Sequence, residues 1–134
     1  MSLLLLDSTF LIDAERGASP LDGLIGDDDD VAIAAVTVAE LHVGVQLAQS
    51  RQRARRRTYV NEIVATIPIL PYDQKVAVEH ANLLVAVRRA GRPRGAHDLI
   101  VAATAVAFAR VVVSANRRAF DGLPGVTAID HRSE

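Results

Sequence analysis

The chain has 134 residues, of which 50% are hydrophobic, and a formal net charge of −1. This length and composition are enough to bury one substantial core, so we expect a single domain over residues 1–134. The balanced charge excludes a generally basic nucleic-acid coat protein, because any polyanion would have to bind a local patch. The sequence contains no cysteine. This excludes disulfides and zinc–thiolate sites, and it fits a cytoplasmic protein.

The first predicted element is a strand. Leu3–Leu6 is a continuous apolar run that ends at Asp7, as expected for a central strand buried on both faces. The run is too short to span a membrane and no basic leader precedes it, so we expect neither a signal peptide nor an anchor. A helix is predicted from about Thr9 and a short helical turn at Leu21–Ile25. Gly26 and the four aspartates after it are typical of a loop.

Strand and helix patterns alternate along the rest of the chain. In order, they predict a strand at Val31–Val36, helices at Val38–Ala48 and Arg51–Ile67, a strand at Ile69–Leu70, helices at Asp73–Ala90 and Asp98–Ala109, a strand at Val111–Val113, a short helix near Arg117–Asp121 and a strand at Val126–Ile129. The helix that stops at Gly91 is predicted to bury His80 in the core. The alternation predicts an α/β fold with a mainly parallel sheet of about five strands and helices on both faces.

Acidic or amide side chains follow the strands of this predicted sheet. They are Asp7 after the first strand, Glu40 after the second, Asp98 at the start of a later helix, and Asn116 after the strand at Val111–Val113. The carboxyl ends of parallel strands line one crevice, so these side chains can meet there. Clustered carboxylates hold divalent metals, and the pattern therefore predicts a metal-dependent enzyme.

Helix capping is the alternative role for these residues. Thr37 and Glu40 have the spacing of a capping box, Asp98 and Asn116 stand where N-caps belong, and Asp7 can close a turn. Capping does not require carboxylates, since Ser or Thr would serve. A charge directly after a fully apolar strand is also costly unless it is compensated. The repeated choice of acids favours the metal site.

Four segments resemble PIN-domain ribonucleases, and more narrowly the VapC toxins of bacterial toxin–antitoxin pairs. They are Leu6–Thr9, Thr37–Gly44, His97–Ala105, and Ser114–Asn116 with Phe120 and Leu123–Gly125. The segments follow one another in order over nearly the whole chain, and the helix end at Arg88–Gly91 also matches. The resemblance implies a PIN-like three-layer sandwich.

The resemblance also implies roles for individual residues. Asp7, Glu40 and Asp98 would be catalytic acids that hold Mg²⁺ or Mn²⁺. Asn116 would be the fourth catalytic residue, and two hydroxyl positions would support the site, namely Thr9 and Ser114. Relatives often carry an acid at the position of Ala119, so we expect one tightly held metal ion unless Asp121 substitutes.

The activity implied by the resemblance is that of an endoribonuclease toxin. It would hydrolyse a structured RNA such as tRNA or rRNA, leaving a 5′-phosphate and a 3′-hydroxyl, and so inhibit translation and growth. The resemblance further implies a homodimer neutralised by a VapB-type antitoxin, with no membrane association. A mean hydropathy of +0.21 is high for a small monomer and supports surface reserved for partners.

Two basic patches are candidates for RNA binding. Arg92 and Arg94 flank the loop before Asp98, and the second patch consists of Arg51, Arg53, Arg55, Arg56 and Arg57. Either patch is also compatible with a solvated arginine face. Of the two, only the loop is predicted to lie near the metal.

Three other functions compete with this interpretation. A degenerate PIN-like module that binds RNA or protein without catalysis is supported by Asn116 and Ala119. A histidine-driven nuclease is less favoured, because the histidines lack the spacing of a zinc pair and an obvious general-base partner, although His97 adjoins Asp98. A response-regulator receiver would need an acidic pair after the first strand and a lysine after a late strand. The chain lacks both features.

Overall fold

The computed structural model describes residues 2–17 and 26–130, so the helical turn predicted at Leu21–Ile25 lies outside the described residues. The described elements are β1 (Leu3–Leu6), α1 (Ser8–Glu15), β2 (Asp30–Ala34), α2 (Ala35–Leu47), α3 (Ser50–Thr66), β3 (Ile69–Leu70), α4 (Gln74–Ala90), α5 (Ala96–Ala107), β4 (Val111–Ser114), a 3-10 turn (Arg117–Ala119) and β5 (Ala128–Asp130). None of these helices is both long enough and apolar enough to cross a bilayer.

The five strands form one parallel sheet in the order β3-β2-β1-β4-β5. Leu5 of β1 lies opposite Ala32 of β2 on one side and Val112 of β4 on the other, which makes β1 the central strand. In chain order, β2 and β3 follow on one side of β1, and β4 then lies on the other side of β1. The carboxyl end of β1 is therefore a topological switch point, where open α/β sheets bind their ligands.

Alternate side chains along the strands belong to two hydrophobic clusters, one on each face of the sheet. Leu5, Ala32 and Val112 pack on one face with residues of α4 and α5. Leu4, Leu6, Ile33 and Val113 pack on the other face with residues of α1, α2 and α3. Because side chains point alternately to opposite faces of a strand, both faces need cover, and the result is three layers. The predicted α/β three-layer sandwich is confirmed.

Two helices begin earlier than the sequence predicts. Ala34 is the last residue of β2 to pair with β3, and α2 starts directly at Ala35 instead of Val38. Beyond Ala34 no strand continues the ladder, so the β-branched residues that follow enter the helix despite their strand propensity. Similarly, α5 begins at Ala96 and has Gly95 as its N-cap residue, whereas the predicted start was Asp98.

Helix α4 shows where local signals were sufficient and where they were not. Asp73 caps the helix by accepting the Val76 N–H at 2.9 Å, and Gly91 ends it in the left-handed conformation with φ of 67°. The prediction that His80 lies in the core is wrong. His80 is only partly buried, and its Nδ1 atom lies 2.9 Å from the hydroxyl of Tyr72. This hydroxyl gives the imidazole a polar partner, which an apolar core would lack.

Candidate active site

Asp7 lies at the switch point, directly after the central strand, and its side chain is buried. Its Oδ1 atom accepts hydrogen bonds from the Thr9 hydroxyl at 2.6 Å and from the Phe10 N–H at 3.1 Å, so Asp7 is also the N-cap of α1. Its Oδ2 atom accepts a hydrogen bond from the Ser114 hydroxyl at 2.7 Å. Burial raises the pKa of Asp7 above its usual value, and these hydrogen bonds oppose that rise.

The two hydroxyls hold Asp7 from different elements, since Thr9 lies in α1 and Ser114 ends β4. Their oxygens lie 3.2 Å apart. Each hydroxyl has one proton, and each donates it in a hydrogen bond to the Asp7 carboxylate. Neither hydroxyl can therefore donate to the other, so the contact between their oxygens is not a hydrogen bond. Backbone donors complete the network, because Ala115 N–H donates to Thr9 at 2.8 Å and Asn116 N–H donates to Ser114 at 2.8 Å. The Asp7 carboxylate is therefore fixed in one orientation.

Glu40 and Asp98 come from α2 and α5 on either side of His97. The His97 Nδ1 atom lies 3.7 Å from Glu40 Oε2, and the His97 side chain is 58% exposed. An open cavity of about 340 Å³ is lined by Glu40, Gly95, Ala96, His97 and Asp98. Two of the predicted acids thus share one solvent-accessible cavity.

The charges of Asp7 and Asp98 affect Glu40, and the charge of Asp7 affects Asp98. Burial is the largest cause that raises the pKa of Glu40. His97 lowers that pKa, and both Asp98 and Asp7 raise it. Burial also raises the pKa of Asp98, the charge of Asp7 raises it further, and His97 lowers it. Like charges have such effects only when they are close, so Asp7 lies near Glu40 and Asp98, which line one cavity, and we call the three acids with this cavity the carboxylate crevice.

Gly95 allows the Asp98 carboxylate to fold back over the start of α5. A methyl group at Gly95 would lie 2.9 Å from Asp98 Oδ2, which is closer than real methyl carbons come to other atoms. Gly95 has φ of −61°, a value open to any residue, so its requirement for glycine is steric. The sequence signal was only a glycine before an acid, and it was too common to identify this contact.

The capping roles considered for these residues separate in the structure. The capping box of Thr37 and Glu40 is wrong, because α2 starts at Ala35 and both residues lie inside it. Asp98 is not an N-cap either, since it lies in the first turn of α5. Only Asp7 caps a helix while also lining the crevice. Helix capping therefore does not explain Glu40 or Asp98.

Asn116 follows β4 and is exposed beside this network. It precedes the 3-10 turn, but its side chain makes no capping hydrogen bond. Asp121 is directed elsewhere: its Oδ1 atom lies 3.5 Å from Arg117 Nε, and it lines a separate cavity. Asp121 thus has a cationic partner of its own and does not act as a substitute acid for Ala119 in this arrangement.

Arg92 and Arg94 line that separate cavity of about 450 Å³, together with Arg118, Asp121 and Gly122. Arg94 donates to the backbone oxygens of Ala119 at 3.1 Å and Asp121 at 2.7 Å, so it ties the loop before α5 to the 3-10 turn. Arg92 is exposed. Neither arginine lines the cavity that contains Glu40 and Asp98.

The donor set of the crevice fits a hard divalent cation by its chemistry. Mg²⁺ and Mn²⁺ prefer oxygen ligands, and a cation would offset both the burial of the three carboxylates and the repulsion that Glu40 and Asp98 experience. Within residues 2–17 and 26–130, no three acidic or histidine side chains are already arranged as a metal-binding group. The structure therefore supplies the charge and the ligand type, with Asp7 fixed and the other two acids partly exposed.

Comparison with known proteins agrees with this architecture. The PIN domain family model matches residues 4–125. Ribonuclease VapC5 of Mycobacterium tuberculosis is 34% identical over 125 residues, which are 93% of this chain and 90% of the relative. The tRNA(fMet)-specific endonuclease VapC of Salmonella typhimurium is 28% identical over 100 residues, 75% of this chain and 74% of that protein.

A solved structure covers almost the same span. It is the crystal structure of a member of the VapBC family of toxin–antitoxin systems, VapBC-5 from Mycobacterium tuberculosis. A chain in it has 31% sequence identity and a TM-score of 0.80, and the match covers 97% of this chain and 99% of that one. The chain therefore belongs to the PIN domain family and, within it, to the VapC group.

Proposed function

We propose that this chain is a metal-dependent endoribonuclease that acts as the toxin of a toxin–antitoxin pair. The observation that carries the proposal is the placement of Glu40 and Asp98 on one cavity, with Asp7 close enough for its charge to raise the pKa values of both. A protein rarely keeps like charges together at a partly buried site unless a ligand compensates them. The cleaved bonds would be RNA phosphodiesters, and the biological result would be inhibition of translation and growth.

Asp7, Glu40 and Asp98 would hold Mg²⁺ or Mn²⁺, which when bound supplies an activated water and neutralises charge on the phosphoryl oxygens. Thr9 and Ser114 keep both oxygens of Asp7 in a fixed orientation. In the hydrolysis, the water oxygen bonds to phosphorus, and the bond from phosphorus to the 3′ oxygen breaks. The products are a 5′-phosphate and a 3′-hydroxyl.

The number of metal ions follows from what surrounds the crevice. The position at which relatives often carry a further acid is Ala119 here. Asp121 is engaged with Arg117. Three carboxylates with Asn116 at the rim match one tightly held ion better than two.

RNA is proposed as the substrate because the relatives carry such names. The Mycobacterium tuberculosis relative is named a ribonuclease, and the Salmonella relative is named a tRNA(fMet)-specific endonuclease. A structured RNA such as tRNA or rRNA is therefore the proposed target class. Aromatic residues make up only 4% of the chain, which disfavours a base-stacking platform for extended strands. The activity would be exerted in the cytoplasm, where such RNA is used.

The proposed protein partners are a VapB-type antitoxin and a second copy of this chain. The similar solved structure belongs to a VapBC toxin–antitoxin system. Helix α2 exposes Val43 at 55% and Leu47 at 81%, and α4 exposes Val78 at 54% and Val85 at 43%. Paired apolar side chains one or two turns apart on a helix surface are typical of faces that partners cover.

The proposal is tested by removing charge without changing shape. Because neither Glu40 nor Asp98 caps a helix, Glu40→Gln and Asp98→Asn should leave the fold intact. Each change should weaken Mn²⁺ binding in calorimetry and reduce Mg²⁺-dependent cleavage of bulk bacterial tRNA by at least about 10²-fold. Asp73→Asn is the matched control, because it makes the same acid-to-amide change at a residue that only caps α4.

The outcomes separate the proposed enzyme from a non-catalytic module. Cleavage that persists at the native rate in both crevice variants would leave the nuclease proposal without its central residues. A native protein that binds RNA and never cleaves it with either metal would favour the degenerate binding module. Thermal melts in EDTA accompany every variant, so that unfolding is not mistaken for a loss of catalysis.

A further inference from the structure

A basic cleft lies between α1 and α3, and neither Arg92 nor Arg94 is among its lining residues. It has a volume of about 420 Å³ and is lined, among the described residues, by Glu15, Arg16, Gln52, Arg55, Arg56 and Tyr59. The four lining residues of α3 recur at helical spacing, so they share one face of that helix. The volume is in the range of roughly 300–1,000 Å³ that is typical of ligand pockets. We call this feature the α1–α3 cleft.

The α1–α3 cleft is linked to the carboxylate crevice by cavities that share lining residues. A smaller cavity of about 60 Å³ shares Glu15, Arg16, Arg56 and Tyr59 with the cleft, and its lining also includes Glu40. Glu40 in turn lines the open cavity with Asp98. The prediction that only the loop before α5 lies near the metal site is therefore wrong, because a basic surface of α3 reaches Glu40.

Charge in the α1–α3 cleft favours an anion. Three guanidinium groups there oppose one carboxylate, that of Glu15. Arg56 is paired with Glu15 at 3.5 Å, with side chains 29% and 18% exposed. Arg16 and Arg55 are exposed and have no ion pair with any residue in 2–17 or 26–130. Guanidinium groups bind phosphate through two parallel hydrogen bonds. The guanidinium groups of Arg16 and Arg55, which have no ion pair within the described residues, can each bind one phosphate of a chain in this way.

Tyr59 makes the wall of the α1–α3 cleft rigid and keeps it uncharged. Its hydroxyl donates to the Leu11 backbone oxygen at 2.6 Å, which fixes α3 against α1. Burial, with contributions from Glu15 and Glu62, raises the pKa of Tyr59 to about 12. Tyr59 therefore stays neutral at working pH and adds no negative charge to repel a phosphate.

Gly44 has room for a side chain beside the small cavity. It lies inside α2, where glycine costs about 1 kcal/mol relative to alanine. A methyl group there would meet nothing within 4 Å, so packing does not require glycine at this position. Gly44 lines the small cavity beside Glu40.

We propose that the α1–α3 cleft binds backbone phosphates of the RNA strand whose adjoining phosphodiester reaches the carboxylate crevice. This inference rests on the proposed ribonuclease function and adds the path of its substrate. RNA is favoured over an acidic peptide because the cleft leads to Glu40. An RNA strand with phosphates bound in the cleft would have its next phosphodiester at the acids. For an acidic peptide, the link between the cleft and the acids would serve no purpose.

The test measures the salt dependence of RNA binding. Fluorescein-labelled bulk bacterial tRNA is titrated with protein in EDTA at several KCl concentrations, and anisotropy gives the dissociation constant. The double variant Arg16→Ala/Arg55→Ala should lower the slope of log affinity against log salt by about 1.4–1.8, since each phosphate contact contributes about 0.7–0.9. The affinity should fall about tenfold at moderate salt.

The control is Arg51→Ala/Arg57→Ala, which removes the same charge from exposed positions of α3 that do not line the α1–α3 cleft. It should change the slope much less. In cleavage assays with bulk tRNA, the cleft variant should raise KM and leave kcat near the native value, because neither arginine touches the carboxylates. Thermal melts should match the native protein, since neither Arg16 nor Arg55 is ion-paired within the described residues.

Four results would overturn the inference in distinguishable ways. An unchanged slope in the cleft variant, with native binding and cleavage intact, would refute the cleft alone. Equal losses of RNA affinity in the cleft and control variants would show that binding depends on general positive charge and not on the cleft. Native RNA binding combined with weakened retention of a co-expressed antitoxin would assign the cleft to protein. A native protein that neither binds nor cleaves RNA would refute the proposed function, and the inference with it.

Discussion

Replacing Ser114 by alanine tests how strongly the hydroxyl network holds the central carboxylate. Ser114 is fully buried at the end of β4. Its hydroxyl donates to Asp7 Oδ2 at 2.7 Å and accepts the Asn116 N–H at 2.8 Å. The substitution Ser114→Ala removes both bonds but keeps the strand and its pairing with β1.

The expected magnitude follows from these contacts. A hydrogen bond to a charged group contributes about 1.5–3 kcal/mol. The Thr9 hydroxyl still donates to the other oxygen of Asp7, and water can reach the exposed Asn116 N–H, so neither group becomes fully unpaired. We expect Ser114→Ala to reduce the free energy of unfolding by about 2 kcal/mol at pH 7. For a domain of this size, that is a fall in Tm of roughly 6–10 °C.

A double-mutant cycle measures the interaction itself. Asp7→Asn keeps a residue that caps α1 well but removes its charge. In that background Ser114→Ala should cost about 1 kcal/mol less, because neutral hydrogen bonds contribute about half as much as charged ones. Urea unfolding in EDTA provides the four free energies, with m-values checked for constancy. Equal costs of Ser114→Ala in both backgrounds would refute the claim that the hydroxyl stabilises the Asp7 carboxylate.

Further predictions concern other parts of the molecule. Gly95→Ala should displace the Asp98 carboxylate and lower cleavage by about 10–10²-fold with little change in Tm, and native activity would contradict the close approach seen here. Gly44→Ala should raise the free energy of unfolding by up to about 1 kcal/mol in urea, as the site has room for a methyl group. Arg94→Ala should destabilise by about 1–2 kcal/mol through its lost backbone contacts, whereas Arg92→Ala should not alter the melt. Folding raises the pKa values of the three crevice carboxylates, so their protonated forms favour the folded state. This stabilisation is complete below the unfolded pKa values of about 4, and it is lost as the pH rises through the folded pKa values. Metal-free Asp98→Asn should therefore gain stability over the native protein as the pH rises above the ordinary carboxyl pKa of about 4, and a parallel pair of pH profiles would contradict this.

The sequence by itself determined the elements whose signals are local. The apolar run Leu3–Leu6 predicted a strand buried on both faces, because side chains of a central parallel strand meet helices on either side. Helix α4 was bounded by Asp73 and Gly91, whose capping chemistry depends only on neighbouring backbone groups. The acids after the strands predicted a common crevice, and topology brings Asp7, Glu40 and Asp98 to it.

Tertiary structure decided what depends on partners distant in sequence. Helix α2 starts at Ala35 because the ladder between β2 and β3 ends there, a limit that strand propensity cannot express. Arg94 binds the 3-10 turn, while Arg56 lines a cavity with Glu40, so α3 brings a basic residue to the site that the sequence had not placed there. Charge patterns along a chain give the composition of a surface, but the packing of helices on the sheet decides which charges share a cleft.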